Sequence, residues 1–286
     1  MSSINTTVLM SDAYYFDDSA PINPYMGTSG PIESSKAQIE HDSIRAALQS
    51  AGVTIVQVPS PPDCQDGVYT ANWALVSGRT AIMSRLPEAR KGEEAYARNV
   101  LQELGKKIIF VPDNLRFSGQ GDALFCGQYL FLGNGYRTDK AMSGFLAQTL
   151  DCSVISLQTV PQMDTNGQPV VNAVSGWPDS FFYDIDLALA VLRPNLIAWC
   201  PEAFTLESQE KLRALPIGKI EISLEEALQA FACNLVSTGE TVIMSAHAPL
   251  FKAAVEAEGL ETITPEITEL AKGGGYIRCT TLTLSN

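Results

Sequence analysis

The sequence predicts an α/β fold of five repeated ββαβ units, packed radially as a single domain over residues 1–286. Two observations carry this. An amphipathic helix followed by a short β-branched strand recurs five times. In four of the five cases a hairpin-like pair of short strands precedes the helix. No such unit can bury its apolar face alone, so neighbouring units must pack against one another. A doubly wound sheet also alternates strands and helices but has no hairpin before each helix. No GxGxxG or Walker sequence follows a strand, so a nucleotide is not indicated.

The first unit starts with a strand at Thr7–Met10. A helix over Ser35–Ala51 puts Ile39, Ile44, Leu48 and Ala51 on one face, stops at Gly52, and leads into a strand over Val53–Pro59. The second unit pairs Val68–Val76 with Thr80–Ser84 across Gly78-Arg79, then runs through a helix at Glu93–Leu104 to a strand at Ile108–Pro112. In the third, Ala123–Cys126 and Tyr129–Leu132 turn at Gly127 ahead of a helix at Lys140–Leu150 and a strand at Ser153–Leu157. The fourth pairs Leu187–Leu192 with Leu196–Cys200 at Pro194-Asn195, followed by Ser208–Leu215 and Ile220–Ile222. The fifth pairs Leu235–Ser237 with Thr241–Met244 at Gly239, followed by Pro249–Glu258 and Leu260–Ile263. The first unit has no hairpin of its own, and Cys279–Leu284 is the expected partner of its first strand.

Composition narrows the function. The chain has 286 residues, 45% hydrophobic and 18% charged, with a formal net charge of −13. Phosphate-directed nucleic-acid binding requires a basic face, so it is not expected, whereas a cationic small molecule suits an acidic protein. No apolar run is long enough to span a membrane. Met1–Asn5 has neither a charged start nor an apolar signal core, and the six cysteines are scattered with no CxxC pair. A reducing cytoplasm is therefore expected, without disulfides or a metal site. Only two histidines exist, His41 and His247, which limits acid/base schemes.

One cysteine stands apart. In Gly273-Gly274-Gly275-Tyr276-Ile277-Arg278-Cys279, a thiol follows a glycine-rich turn at the head of the last strand. Glycines allow close approach of a flat substrate, and a thiolate is a strong nucleophile. The residues alone equally allow a small buried hydrophobe. Asp186 stands among apolar neighbours, where an unpaired charge is costly. Strand alternation would put Asp184 and Asp186 on one face, close enough that one carboxyl pKa rises and that group can donate a proton.

Five segments carry a resemblance. They are Asp66-Gly67-Val68-Tyr69-Thr70-Ala71-Asn72, Phe117-Ser118-Gly119-Gln120-Gly121-Asp122-Ala123-Leu124, Gly133–Thr138, Phe182-Tyr183-Asp184-Ile185-Asp186 and Gly274–Cys279. In order, the chain resembles the guanidino-group-modifying enzymes: dimethylarginine dimethylaminohydrolases, arginine deiminases, arginine dihydrolases and amidinotransferases. The resemblance implies the pseudo-fivefold α/β propeller of these enzymes (the pentein fold). It implies a cysteine-dependent hydrolase that acts on the guanidino C–N bond of arginine or a derivative through a thiouronium intermediate, without a cofactor. A non-catalytic binder of arginine-like ligands, or an amidinotransferase, shares the same motifs.

By the same resemblance Cys279 is the nucleophile, and Asp66, Asn72 and Asp186 hold the guanidinium with Asp122 in support. Arg137 and Arg85 are candidates for a substrate carboxylate, as is Arg90 unless it forms a surface ion pair. Two positions depart from the family. Asp184 stands where a catalytic histidine is usual and becomes the candidate acid/base. Ser118 replaces a glutamate. His247 is the alternative proton carrier if its loop folds inward. The expected partner is a small cationic guanidino compound, not nucleic acid or membrane, and a homodimer is an open expectation.

Overall fold

Short apolar strands turn back on themselves at Gly78, Gly127 and Gly239, which adopt φ values of 54°, 56° and 90°. Glycine tolerates that region because it has no Cβ. In the computed structural model, which describes residues 4–285, these hairpins start the second, third and fifth units. Residues 1–3 of the Met1–Asn5 segment lie outside the described residues.

The first unit holds β1 (Thr7–Met10), α1 (Ser34–Ser50) and β2 (Thr54–Gln57). The second holds β3 (Ala74–Ser77), β4 (Thr80–Met83), α2 (Lys91–Glu103) and β5 (Lys107–Ile109). The third holds β6 (Ala123–Cys126), β7 (Tyr129–Asn134), α3 (Met142–Leu150) and β8 (Ser153–Gln158). The fourth holds β9 (Leu189–Arg193), β10 (Leu196–Trp199), α4 (Leu206–Ala214) and β11 (Gly218–Glu221), followed by a short α5 (Leu224–Gln229). The fifth holds β12 (Val236–Ser237), β13 (Thr241–Ile243), α6 (Pro249–Ala257) and β14 (Glu261–Ile263). A one-turn α7 (Glu269–Lys272) and β15 (Leu282–Ser285) follow.

Among the described residues these strands form five three-stranded sheets, ordered β15-β1-β2, β3-β4-β5, β6-β7-β8, β9-β10-β11 and β12-β13-β14. In each, the first strand runs antiparallel to the middle one and the third runs parallel to it. The first sheet is completed from the far end of the chain, with Leu9 opposite Leu282. Neighbouring sheets meet through β15 and β3, β6 and β9, and β9 and β12. Ile4 N donates to Thr238 O at 3.1 Å and Asn5 Nδ2 to Ser237 O at 2.8 Å, joining the N-terminal segment to the fifth unit. Among the described residues no helix is long and apolar enough to cross a membrane.

Four expectations are corrected. Ile39 is 68% exposed. The buried face of α1 is Ala37, Glu40, His41, Ile44, Ala47 and Leu48, whose i, i+3, i+4, i+7 spacing lies on one stripe, whereas Ile39 is five residues from Ile44. The strands predicted over Val68–Val76 and Leu187–Leu192 start later, because Thr70–Trp73 and Ile185–Leu187 are 3₁₀ turns. Asp184 and Asp186 therefore do not share a strand face: Asp184 is extended and Asp186 sits within the following turn. Cys279 likewise lies in a turn ahead of β15 rather than in the strand.

Candidate active site

The turns that precede the first strand of each sheet carry the polar residues of the site. Asn72 precedes β3, Gln120 and Asp122 precede β6, Asp186 precedes β9, Asn234 precedes β12 and Cys279 precedes β15. A turn before a strand exposes side chains at the sheet end without interrupting the ladder. Asn234 is the member sequence reasoning missed. The signal was its position two residues before the fifth unit's first strand, matching Asn72 before β3.

The cysteine turn is held from several directions. Glu40, buried on α1, accepts hydrogen bonds from the backbone of Thr268, Glu269 and Leu270 and so caps α7. Tyr69 and Tyr183 donate through their hydroxyls to Leu270 O and Gly274 O, both at 2.6 Å. Gly274 has φ +85°, and a Cβ there would lie 2.5 Å from Asn23 Oδ1. At Gly275 a Cβ would lie 2.5 Å from Tyr69 Cε1. The glycines are thus required by tight packing beneath the cysteine.

Cys279 is 2% exposed and its thiol has two side-chain partners. Asn234 Nδ2 donates to Sγ at 3.1 Å, and Sγ donates to Asp186 Oδ2 at 3.5 Å. Burial, with Asp186 and Asp184 nearby, holds the thiol pKa well above its usual value. Burial and Asp184 likewise push the Asp186 carboxyl up, partly offset by the buried guanidinium of Arg278. Each of Asp184 and Asp186 keeps one buried oxygen, Oδ1, without a hydrogen-bond partner among the described residues. Such acceptors suit a planar cation rich in N–H donors.

Asp184 is fully buried, and its Oδ2 accepts from Asn72 Nδ2 at 2.7 Å. Arg137 Nη1 approaches the same oxygen at 4.0 Å, and its guanidinium lies 3.9 Å above the Tyr183 ring. Asn72 Nδ2 also donates to Ser118 Oγ at 3.0 Å. The far side of Asn72 is held by Arg90, whose Nη1 donates to Oδ1 at 2.8 Å. Arg90 is not a surface ion pair. It is 2% exposed and makes a two-pronged bond to Glu93, at 2.8 and 2.7 Å. A Cβ on Gly121 would lie 2.6 Å from Asp184 Oδ2 and closer still to Asn72 Nδ2.

Asp66 is buried, accepts from Gln65 Nε2 at 3.0 Å, and has its pKa raised by burial against the pull of Arg90. Asp122 Oδ1 accepts from Ile185 N at 2.9 Å, which fixes the chain between Asp184 and Asp186. Burial, with Asp184 beside it, pushes the Asp122 carboxyl up to about 8. Arg85 is placed elsewhere: its Nη2 donates to exposed Asp113 at 2.7 Å and to Val111 O at 3.3 Å. His247 is an exposed loop residue whose Nε2 lies 3.3 Å from Glu266, and it is not among the partners of the thiol. His41 is buried in the face of α1, where loss of solvation lowers its pKa to about 4.

A cysteine set among carboxylates at the sheet ends, on five repeated α/β units, defines a member of the guanidino-group-modifying superfamily. Within it the chain belongs to the N,N-dimethylarginine dimethylhydrolase family, whose eukaryotic profile matches residues 13–285. It is 30% identical over 277 residues to the N(G),N(G)-dimethylarginine dimethylaminohydrolase of Mycobacterium tuberculosis, covering 96% of this chain and 84% of that protein. The N-terminal domain of ArgZ, a cyanobacterial arginine dihydrolase, superposes with a TM-score of 0.87 at 26% identity over 98% of both chains. That structure is a cysteine-to-serine variant bound to substrate. A further ArgZ structure, at the same TM-score and identity over 98% of this chain and 97% of that one, carries a covalent reaction intermediate.

Proposed function

We propose that this protein is a cysteine-dependent hydrolase that cleaves the guanidino C–N bond of arginine or an arginine derivative. The observation that carries this reading is the pair of buried, unpartnered carboxylate oxygens, Asp184 Oδ1 and Asp186 Oδ1, beside the Cys279 thiol. Uncompensated buried carboxylates are costly, and a bound guanidinium supplies the donors they lack. The same cation offsets the negative field that keeps the thiol protonated, so nucleophile formation follows substrate binding.

In this reading Asp186 and Asn72 hold the guanidinium, Asp66 and Asp122 support the site, and Arg137 takes a substrate carboxylate. Asp184 moves the protons in place of the family histidine. Its Oδ2 is tied to Asn72, which leaves Oδ1 for the exchange. The thiol proton passes to Asp184 and the thiolate adds to the guanidino carbon. The C–N bond breaks as Asp184 returns that proton to the leaving nitrogen. Water then adds to the thiouronium, giving a proton back to Asp184. The C–S bond breaks to leave a ureido product, the Asp184 proton returns to the departing sulfur, and the extra proton on the product leaves with the released amine. The contacts between neighbouring sheets support a closed fivefold propeller of one domain. Six free cysteines fit a cytoplasmic setting.

The test is a panel of arginine, methylated arginines and shorter guanidino compounds, followed by ureido product and released amine. Wild type is expected to turn over at least one of them and Cys279→Ser none. Absence of product from the whole panel overturns the reading. A non-catalytic binder is the second reading, favoured by the lack of a histidine at the thiol. It predicts calorimetric binding of a guanidino compound with no turnover.

A further inference from the structure

We infer that Asn234 is the positioning residue of the nucleophile: it fixes the Cys279 turn and orients an amide donor onto the thiolate. This rests on the reading of Cys279 as the nucleophile. Asn234 is fully buried. Its Oδ1 accepts from two backbone amides, Tyr276 N and Cys279 N, each at 3.1 Å. Those two donors settle which way the carboxamide points, because only its oxygen can accept from both. The nitrogen is left facing Sγ at 3.1 Å, with a second, longer bond to Asp186 O at 3.4 Å. The carboxamide therefore has no freedom to turn, and the thiol meets a donor.

The surroundings make that donor matter. Asp186 and Asp184 face the thiol and oppose its ionisation. Tyr69 and Tyr183 pack close with their phenols held neutral by burial. Arg278 is the neighbouring cation, but its Nη2 is engaged with Gln120 Oε1 at 3.0 Å and its Nη1 with Thr283 Oγ1 at 2.9 Å. When Sγ loses its proton, the electron pair stays on sulfur and the bond to Asp186 Oδ2 is lost as a thiol donation. The Asn234 bond then becomes charge-assisted and strengthens. Asp186 is released to accept from the substrate at the moment the nucleophile forms.

Asn234→Asp separates the two tasks. A carboxylate keeps an acceptor for both backbone amides but sets an oxygen against sulfur. We expect the pH midpoint of Cys279 alkylation by iodoacetamide, located by peptide mapping, to rise by at least about one unit. The rate at pH 8 should fall about tenfold. On whichever guanidino compound is turned over, kcat should fall while KM moves less than about threefold. In unmutated protein the Asn234 side-chain amide resonance should titrate with Cys279, and should not do so in Cys279→Ser. An alkylation profile unmoved in Asn234→Asp overturns the inference. If that variant does not fold, a wild-type amide resonance that stays flat while the thiol ionises overturns it. A Cys279→Ser variant that still turns over a guanidino compound sinks instead the nucleophile reading on which the inference rests.

Discussion

Asp184 is the proposed proton carrier, and its surroundings define what its loss would do. Buried, bonded to Asn72 and within 4.0 Å of Arg137, it is held as a rigid acceptor with one oxygen to spare. Asp184→Asn keeps the shape but cannot take up and return a proton. Steady-state kinetics should show kcat lower by about 10²–10⁴, the usual contribution of a general acid/base. Ligand affinity by calorimetry should stay within about tenfold, since Asp186 still holds the cation. Full activity in Asp184→Asn would move the proton shuttle elsewhere. His247 would be a poor substitute because it lies exposed beside Glu266.

At the scale of elements, the site is a set of turns rather than of strands. The turn at Gly119–Gly121 passes so close to Asn72 and Asp184 that a side chain at 121 must push one of them aside. Gly121→Ala should therefore break the Asn72–Asp184 bond, cost about 1–3 kcal/mol in stability, and abolish turnover. Gly144, inside α3, has nothing within 4 Å of a Cβ. Gly144→Ala should stabilise the protein by about 0.5–1 kcal/mol through helix propensity and leave kinetics unchanged. Urea titration and turnover of the two variants check both statements, and equal effects would refute the steric argument.

For the whole molecule, the strand that follows the cysteine also completes the first sheet. Leu282 is fully buried opposite Leu9, and Gln120 bonds both the N–H and the carbonyl of Thr283, at 2.8 and 2.9 Å. Leu282→Ala should lower stability by about 2–5 kcal/mol, read as a lower urea midpoint. Leu250→Ala, at a position 72% exposed, should stay within about 0.5 kcal/mol. A midpoint for Leu282→Ala equal to that of wild type would mean that β15 does not hold the first unit closed.

The repeat, its five helix–strand steps, the pairing of β1 with the C-terminal strand and the singular cysteine after three glycines were legible in the amino-acid order. They rest on local periodicity and on turn chemistry. Such patterns also misled. Alternation placed Asp184 and Asp186 on a strand, where a 3₁₀ turn intervenes, and Ile39 looked like core but faces out. What only the tertiary structure decided is which distant side chains meet. Asn72 meets Asp184 across 112 residues and Asn234 meets Cys279 across 45. Arg90 turns inward to Glu93 and Asn72, while Arg85 turns out to Asp113. No periodicity encodes those choices, because each depends on how separate sheets pack and on which buried charge finds a partner there.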